Sequence, residues 1–147
     1  MTHDSSALEQ LDKSPSLNVV SISGPGNALM LRIEELSRSS STDYTPPVAG
    51  AVLMEHDIGD PVFEVLWPRY VAYSVRNESY TTWDDYEEFT GTRLRVYTKS
   101  RFLDYVRSAT SPWGLSAEPK HWGIVCENHI VDVMSDVDPQ VTLIRVK

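Results

Sequence analysis

Apolar residues recur along this chain at two spacings, and the switches between them mark its elements. Leu17, Val19, Val20 and Ile22 make a short extended run that stops at Gly24-Pro25-Gly26. From Ala28 to Arg38 the apolar positions Leu29, Met30, Ile33 and Leu36 fit one helical face, with Arg32, Glu35 and Arg38 opposite. This predicts a helix capped by Asn27. The Ser/Thr-rich run Ser37 to Thr45 and Pro46-Pro47 read as a loop. Val48, Val52, Leu53 and Met54, then Val62, Phe63, Val65, Leu66 and Trp67, flank the polar stretch His56 to Pro61 and predict a hairpin.

The second half repeats the alternation. Tyr70, Val71, Tyr73 and Val75 suit a strand. Leu94, Val96 and Thr98 alternate with Arg93, Arg95 and Tyr97, which predicts another strand. Ser100 then caps a short helix with Phe102, Leu103 and Val106 inward and Arg101, Asp104 and Arg107 wet, ending at Ser111-Pro112-Trp113-Gly114. His121 to Glu127 and Ile130 to Met134 flank Asn128-His129, which predicts a tight hairpin with Asn128 at positive φ. Val141 to Val146 forms a terminal strand. Residues 1–16 are polar, with only Leu8 and Leu11 spaced for a frayed turn, and read as a flexible N-terminal arm. The expected whole is one α+β domain over residues 17–147, a largely antiparallel sheet of six or seven strands with two short helices.

Composition changes this picture in three respects. With 147 residues, 41% of them hydrophobic, the chain can bury a core of its own. Its net charge of −8 leaves little basic surface for phosphates, so nucleic acid is not an expected partner. The single cysteine, Cys126, permits no intrachain disulfide, and neither an apolar leader core nor a membrane-length apolar run is present. A cytoplasmic protein with no membrane partner is the expectation.

Candidate chemistry concentrates between Glu78 and Gly91. Glu78, Asp84, Asp85, Glu87 and Glu88 are interleaved there with Tyr80, Trp83, Tyr86 and Phe89 and with no Lys or Arg. Rings that bury area beside carboxylates that steer approach suit a basic protein or peptide, so Trp83, Asp84, Asp85, Tyr86, Glu87 and Glu88 are the candidate partner-binding residues. The plainer alternative packs the rings on the sheet and leaves the carboxylates solvated. Arg93, Arg95, Lys99, Arg101 and Arg107 follow directly, and pairing with the acidic connection is their expected role.

Other signatures are weaker. His121, Cys126 and His129 match no zinc spacing, so no metal or other cofactor is expected. A nucleophile drawn from Cys126 or a serine, with a histidine and Asp132, lacks any supporting motif, and no catalytic residue is assigned. In size and charge alone the chain resembles acidic immunity or inhibitor proteins, a resemblance that implies a basic protein such as a toxin domain as partner. The competing expectation is a small-ligand or hydrolytic pocket between the sheet and the 28–38 helix, walled by Trp67, Tyr73, Tyr97 and Trp122.

Overall fold

The computed structural model describes residues 5–38, 53–57, 59–111, 114–115 and 117–144. Of the loop expected over 37–47, Ser37 and Arg38 lie in a strand, and 39–47 lie outside the described residues, as do the Val48 to Val52 part of the next run, the Pro112-Trp113 stop and Val146. Among the described residues the chain is α+β with two antiparallel sheets of five strands each, not one sheet of six or seven. In chain order the elements are α1 (Ser5–Asp12), β1 (Ser16–Ser23), β2 (Leu29–Arg38), β3 (Met54–Glu55), β4 (Val62–Trp67), β5 (Ala72–Asn77), a 3-10 turn (Glu78–Tyr80), β6 (Glu88–Thr90), β7 (Leu94–Lys99), α2 (Arg101–Ala109), β8 (Lys120–Val125), β9 (His129–Ser135) and β10 (Gln140–Ile144).

The first sheet runs β1-β2-β4-β10, with β3 paired to the end of β2; the second runs β5-β9-β8-β7-β6. Their inner faces meet in one core. Leu17, Leu29, Leu31, Ile33, Phe63, Val65, Trp67 and Val141 come from the first sheet, and Leu94, Trp122, Ile124, Val131 and Val133 from the second. Ten strands need two sheets because every alternate residue must find an apolar partner, and stacking two faces supplies it.

Residues 28–38 correct the sequence reading. Leu29–Arg38 form β2 rather than a helix, paired on one side with β1 and on the other with β4. The run satisfies both periods, since Leu29, Leu31 and Ile33 alternate while Leu29, Met30, Ile33 and Leu36 also fit one helical face. Gly26, at φ +63°, and the Ala28 N–H to Pro25 O bond of 3.1 Å turn the chain back on β1, and two flanking ladders then decide the matter. The pocket expected under a 28–38 helix is therefore absent. Trp67 and Trp122 belong to the shared core, Tyr97 is buried on the opposite face of the second sheet, and Tyr73 lies exposed at its edge. The expected hairpin across His56 to Pro61 does not form either, because β3 and β4 each pair with β2 instead.

Residues 5–12, read in sequence as part of an arm, form α1. Ala7 and Leu11, four apart, enter the core. The helix is fastened at its end: the N–H groups of Thr92, Arg93 and Leu94 donate to Oδ1 of Asp12 at 2.7, 2.8 and 2.9 Å. Arg93 returns the contact, donating from Nε to Ser14 O at 3.1 Å and from Nη2 to Pro15 O at 2.5 Å. Gly91 makes this turn, at φ +91°, where a Cβ would lie 2.1 Å from the Leu94 carbonyl oxygen.

The β8–β9 hairpin is present, but its turn is centred on Glu127-Asn128, with the Cys126 N–H donating to His129 O at 2.9 Å. No non-glycine residue among those described has positive φ, so Asn128 does not adopt the expected left-handed conformation. The strand over 94–99 and the Ser100-capped helix match the sequence pattern: the Leu103 N–H donates to Ser100 Oγ at 3.0 Å, and Leu103 and Val106 are buried.

Candidate functional site

β5 and β6 occupy opposite edges of the second sheet. The connection between them must cross three intervening strands, roughly 19 Å at about 4.8 Å per strand. Ten residues, 78–87, can reach roughly 33 Å when extended, which leaves slack for a 3-10 turn on the way. The acidic aromatic stretch is thus a strap across the outer face of the second sheet. The Glu78 N–H donates to Asn128 O at 3.0 Å at its start, and Asn77 caps the turn by accepting from the Ser79 N–H at 2.9 Å.

Basic residues behind the strap hold it down. Asp84 receives Arg101 in a two-pronged pair, Nη2 to Oδ2 at 2.6 Å and Nη1 to Oδ1 at 3.3 Å, and also accepts the Tyr86 N–H at 3.1 Å. Arg101 first, then the Tyr86 amide, keep the Asp84 carboxyl below its usual range. The Tyr86 hydroxyl donates to Asp104, which raises the phenol above its usual range. The Lys99 ammonium and the Arg101 guanidinium lie 4.5 and 4.7 Å from the Tyr86 ring centre. Arg95 sits 4.0 Å from the Phe89 ring and 5.8 Å from that of Trp83. Of the five basic residues expected to pair with the acidic connection, only Arg101 reaches one of its carboxylates; Arg95 and Lys99 meet aromatic rings instead, Arg93 serves α1 and Arg107 pairs with Glu118 at 3.5 Å.

The six candidate residues thus divide. Asp84 and Tyr86 are engaged as anchors, and Glu87 is half-buried. Trp83, Asp85 and Glu88 are exposed, with Trp83 57% accessible and the neighbouring Tyr80 86%. Tyr80 is the more exposed of the two rings and is not among the six. Its position at the end of the 3-10 turn, which the sequence does not announce, leaves it largely in solvent.

Beneath the strap a groove of about 430 Å³ is lined by Ser74, Arg76, Tyr80, Thr82, Glu87, Arg101, Phe102 and Asp132. Its floor is a polar chain, buried at Asp132, His121 and Ser100 and open to solvent at Arg76. Nη2 of Arg76 lies 3.3 Å from Oδ2 of Asp132, Oδ1 of Asp132 is 2.7 Å from His121 Nε2, and His121 Nδ1 is 2.7 Å from Ser100 Oγ. Asp132 can only accept when ionised, and Ser100 Oγ already accepts the Leu103 N–H. The protons are then assigned in one direction: Ser100 O–H donates to Nδ1, and Nε2–H donates to Asp132. Tyr97 stacks on the imidazole at 4.2 Å and Phe102 tilts against it at 4.8 Å.

Serine, histidine and aspartate in series have the composition of a nucleophilic site; the sequence offers a serine, His121 or His129 and Asp132 without a supporting motif, and provides no means of naming Ser100 as the serine. The one available signal was the placement of His121 and Asp132 across a hairpin. Ser100, however, is fully buried, as are His121 and Asp132 to within 1%, and its hydroxyl caps α2. Cys126 is also enclosed; burial pushes its thiol up to about 12. His129 is exposed at the start of β9, away from this chain of contacts. No group of three or more metal-ligating side chains is found among the described residues. No described helix is long and apolar enough to cross a membrane. Comparison with protein-family models, with curated proteins and with solved structures found no match; what this site can do is therefore set by its own chemistry.

Proposed function

We propose that the chain is an acidic binding protein that engages a basic macromolecular partner through the solvent side of the 78–88 strap, in the manner of an inhibitor or immunity protein. One observation carries the reading: Tyr80 and Trp83 stand exposed on a connection whose neighbours Asp84 and Tyr86 are clamped to α2. Large rings on a pre-ordered segment lose little conformational freedom on binding, and they are the side chains that dominate interface energetics. Asp85 and Glu88, exposed beside them, add the charge that steers a cationic surface. The enclosure of Ser100 favours this reading over a hydrolytic one, because substrate must reach a nucleophile. Cytoplasmic residence belongs to the same proposal, resting on the single, buried, unpaired Cys126.

The test is retention of partners from an extract of the source organism by immobilised wild-type chain and by an Asp85→Ser/Glu88→Ser variant, over a series of salt concentrations. Basic proteins retained by the wild type are expected to elute at lower salt from the variant. Equal retention at every salt concentration contradicts a charge-steered surface.

A further inference from the structure

Independently of the strap, the edge of the second sheet points to a second contact surface. Five strands border the described sheets; β3 has only two residues, and three of the other four are guarded. β1 is interrupted by a bulge between Val19 and Ser21, β6 has three residues with a register shift after Glu88, and β10 packs against α1. Among the described residues β5 has none of these protections. Its six residues pair with β9 in unbroken register, contain no proline and carry one charge, Arg76.

Ladder parity identifies its free groups. The Glu78 N–H bonds to Asn128 O, one step beyond the Asn77–His129 pair. Bonded pairs alternate in an antiparallel ladder, so Arg76, Ser74 and Ala72 turn their backbone groups toward β9, and Asn77, Val75 and Tyr73 turn theirs outward. The side chains match this openness: Tyr73 and Val75 are 42% and 44% exposed, and Tyr70 packs edge-on against Tyr73 at 5.3 Å.

We propose that β5 pairs with β5 of a second copy of this chain, joining two second sheets into one continuous sheet about a two-fold axis through Val75. The strand is complementary to itself in that register. Val75 opposes Val75 of the other copy, Tyr73 opposes Asn77, and Arg76 opposes Ser74, so no like charges face each other. The outward groups form about six hydrogen bonds. Each copy carries a net charge of −8, and β5, whose single charge is positive, is a place where two such chains meet with little repulsion. An edge this short gives a small interface, so the association is weak.

Sedimentation equilibrium of the full chain, from about 10 μM to about 1 mM where small interfaces associate, tests it. The weight-average mass is expected to rise from 16.6 kDa toward twice that value. Val75→Lys places two ammonium groups at the axis and is expected to weaken association at least tenfold, with Tyr73→Lys weakening it as a second variant. Val20→Lys, at the exposed site on bulged β1, is expected to leave it unchanged. A wild type that keeps the monomer mass throughout, equal association of Val75→Lys and wild type, or loss of association in Val20→Lys overturns the proposal. So does a β5 edge that binds an extended foreign peptide while the chain alone stays monomeric.

Discussion

The two sheets share a core but differ in how they treat their other faces. The outer face of the first sheet is wet, and its polar residues pair loosely across strands: Asn18 Nδ2 donates to Glu34 Oε1 at 2.9 Å, and Arg32 lies 3.7 Å from Glu64 with both side chains at least one-third exposed. The second sheet is covered by α2 and the strap, and its polar residues run from half-exposed Arg76 into a buried chain of Asp132, His121 and Ser100. A charge in water is solvated whether or not it is paired. Under a cover each donor and acceptor must find its partner, so the covered face is the ordered one. It is also the face that presents Tyr80 and Trp83 on a fixed backing.

The sharpest way to break this contrast is to remove one carboxylate from each face. Asp132→Ala leaves the His121 Nε2–H and the Arg76 guanidinium without their acceptor and is expected to cost about 3–5 kcal/mol in urea denaturation. Glu64→Ala should cost less than about 1 kcal/mol. Equal costs would show that the two faces do not differ as described. Next in size is Gly123→Ala. A Cβ there would lie 2.7 Å from Tyr97 Cε2, so the ring stacked on His121 must shift, at about 1–3 kcal/mol and with a changed near-ultraviolet aromatic signal.

Cys126 gives a comparable effect through pH. Burial raises its folded pKa to about 12, above the value near 8.5 expected of the unfolded thiol. The unfolded state therefore loses its proton first. The contribution is fully present below about pH 8.5 and is lost as pH rises toward about 12, amounting to about 2 kcal/mol by pH 10. A thiol reagent at pH 8 should leave the native protein unlabelled and react once it is unfolded; rapid native labelling would contradict the enclosure.

Strands were legible in sequence wherever period-two alternation met clear punctuation, as over 94–99, and α2 was legible because Ser100 caps it. β2 was not, because its apolar residues satisfy two periods and only the neighbouring ladders choose between them. α1 was hidden for the opposite reason: Ala7 and Leu11 are too few to announce a helix, and their burial depends on a core and on the 92–94 turn assembled far along the chain. Of the site, the acid-to-base asymmetry across Gly91 was visible, and its use as a clamp follows from opposite charges brought close. Which carboxylates are consumed in clamping was not visible, nor was Tyr80, because both depend on the path of the strap across three strands.

The central claim is that the strap's exposed rings, on their clamped backing, are the binding surface. The most direct measurement compares partner retention by the wild type and by a Tyr80→Ser/Trp83→Ser variant of unchanged thermal stability, in which Asp84, Tyr86 and Arg101 are left in place. At least tenfold weaker retention is predicted. Retention of the same partners at equal strength would contradict the claim.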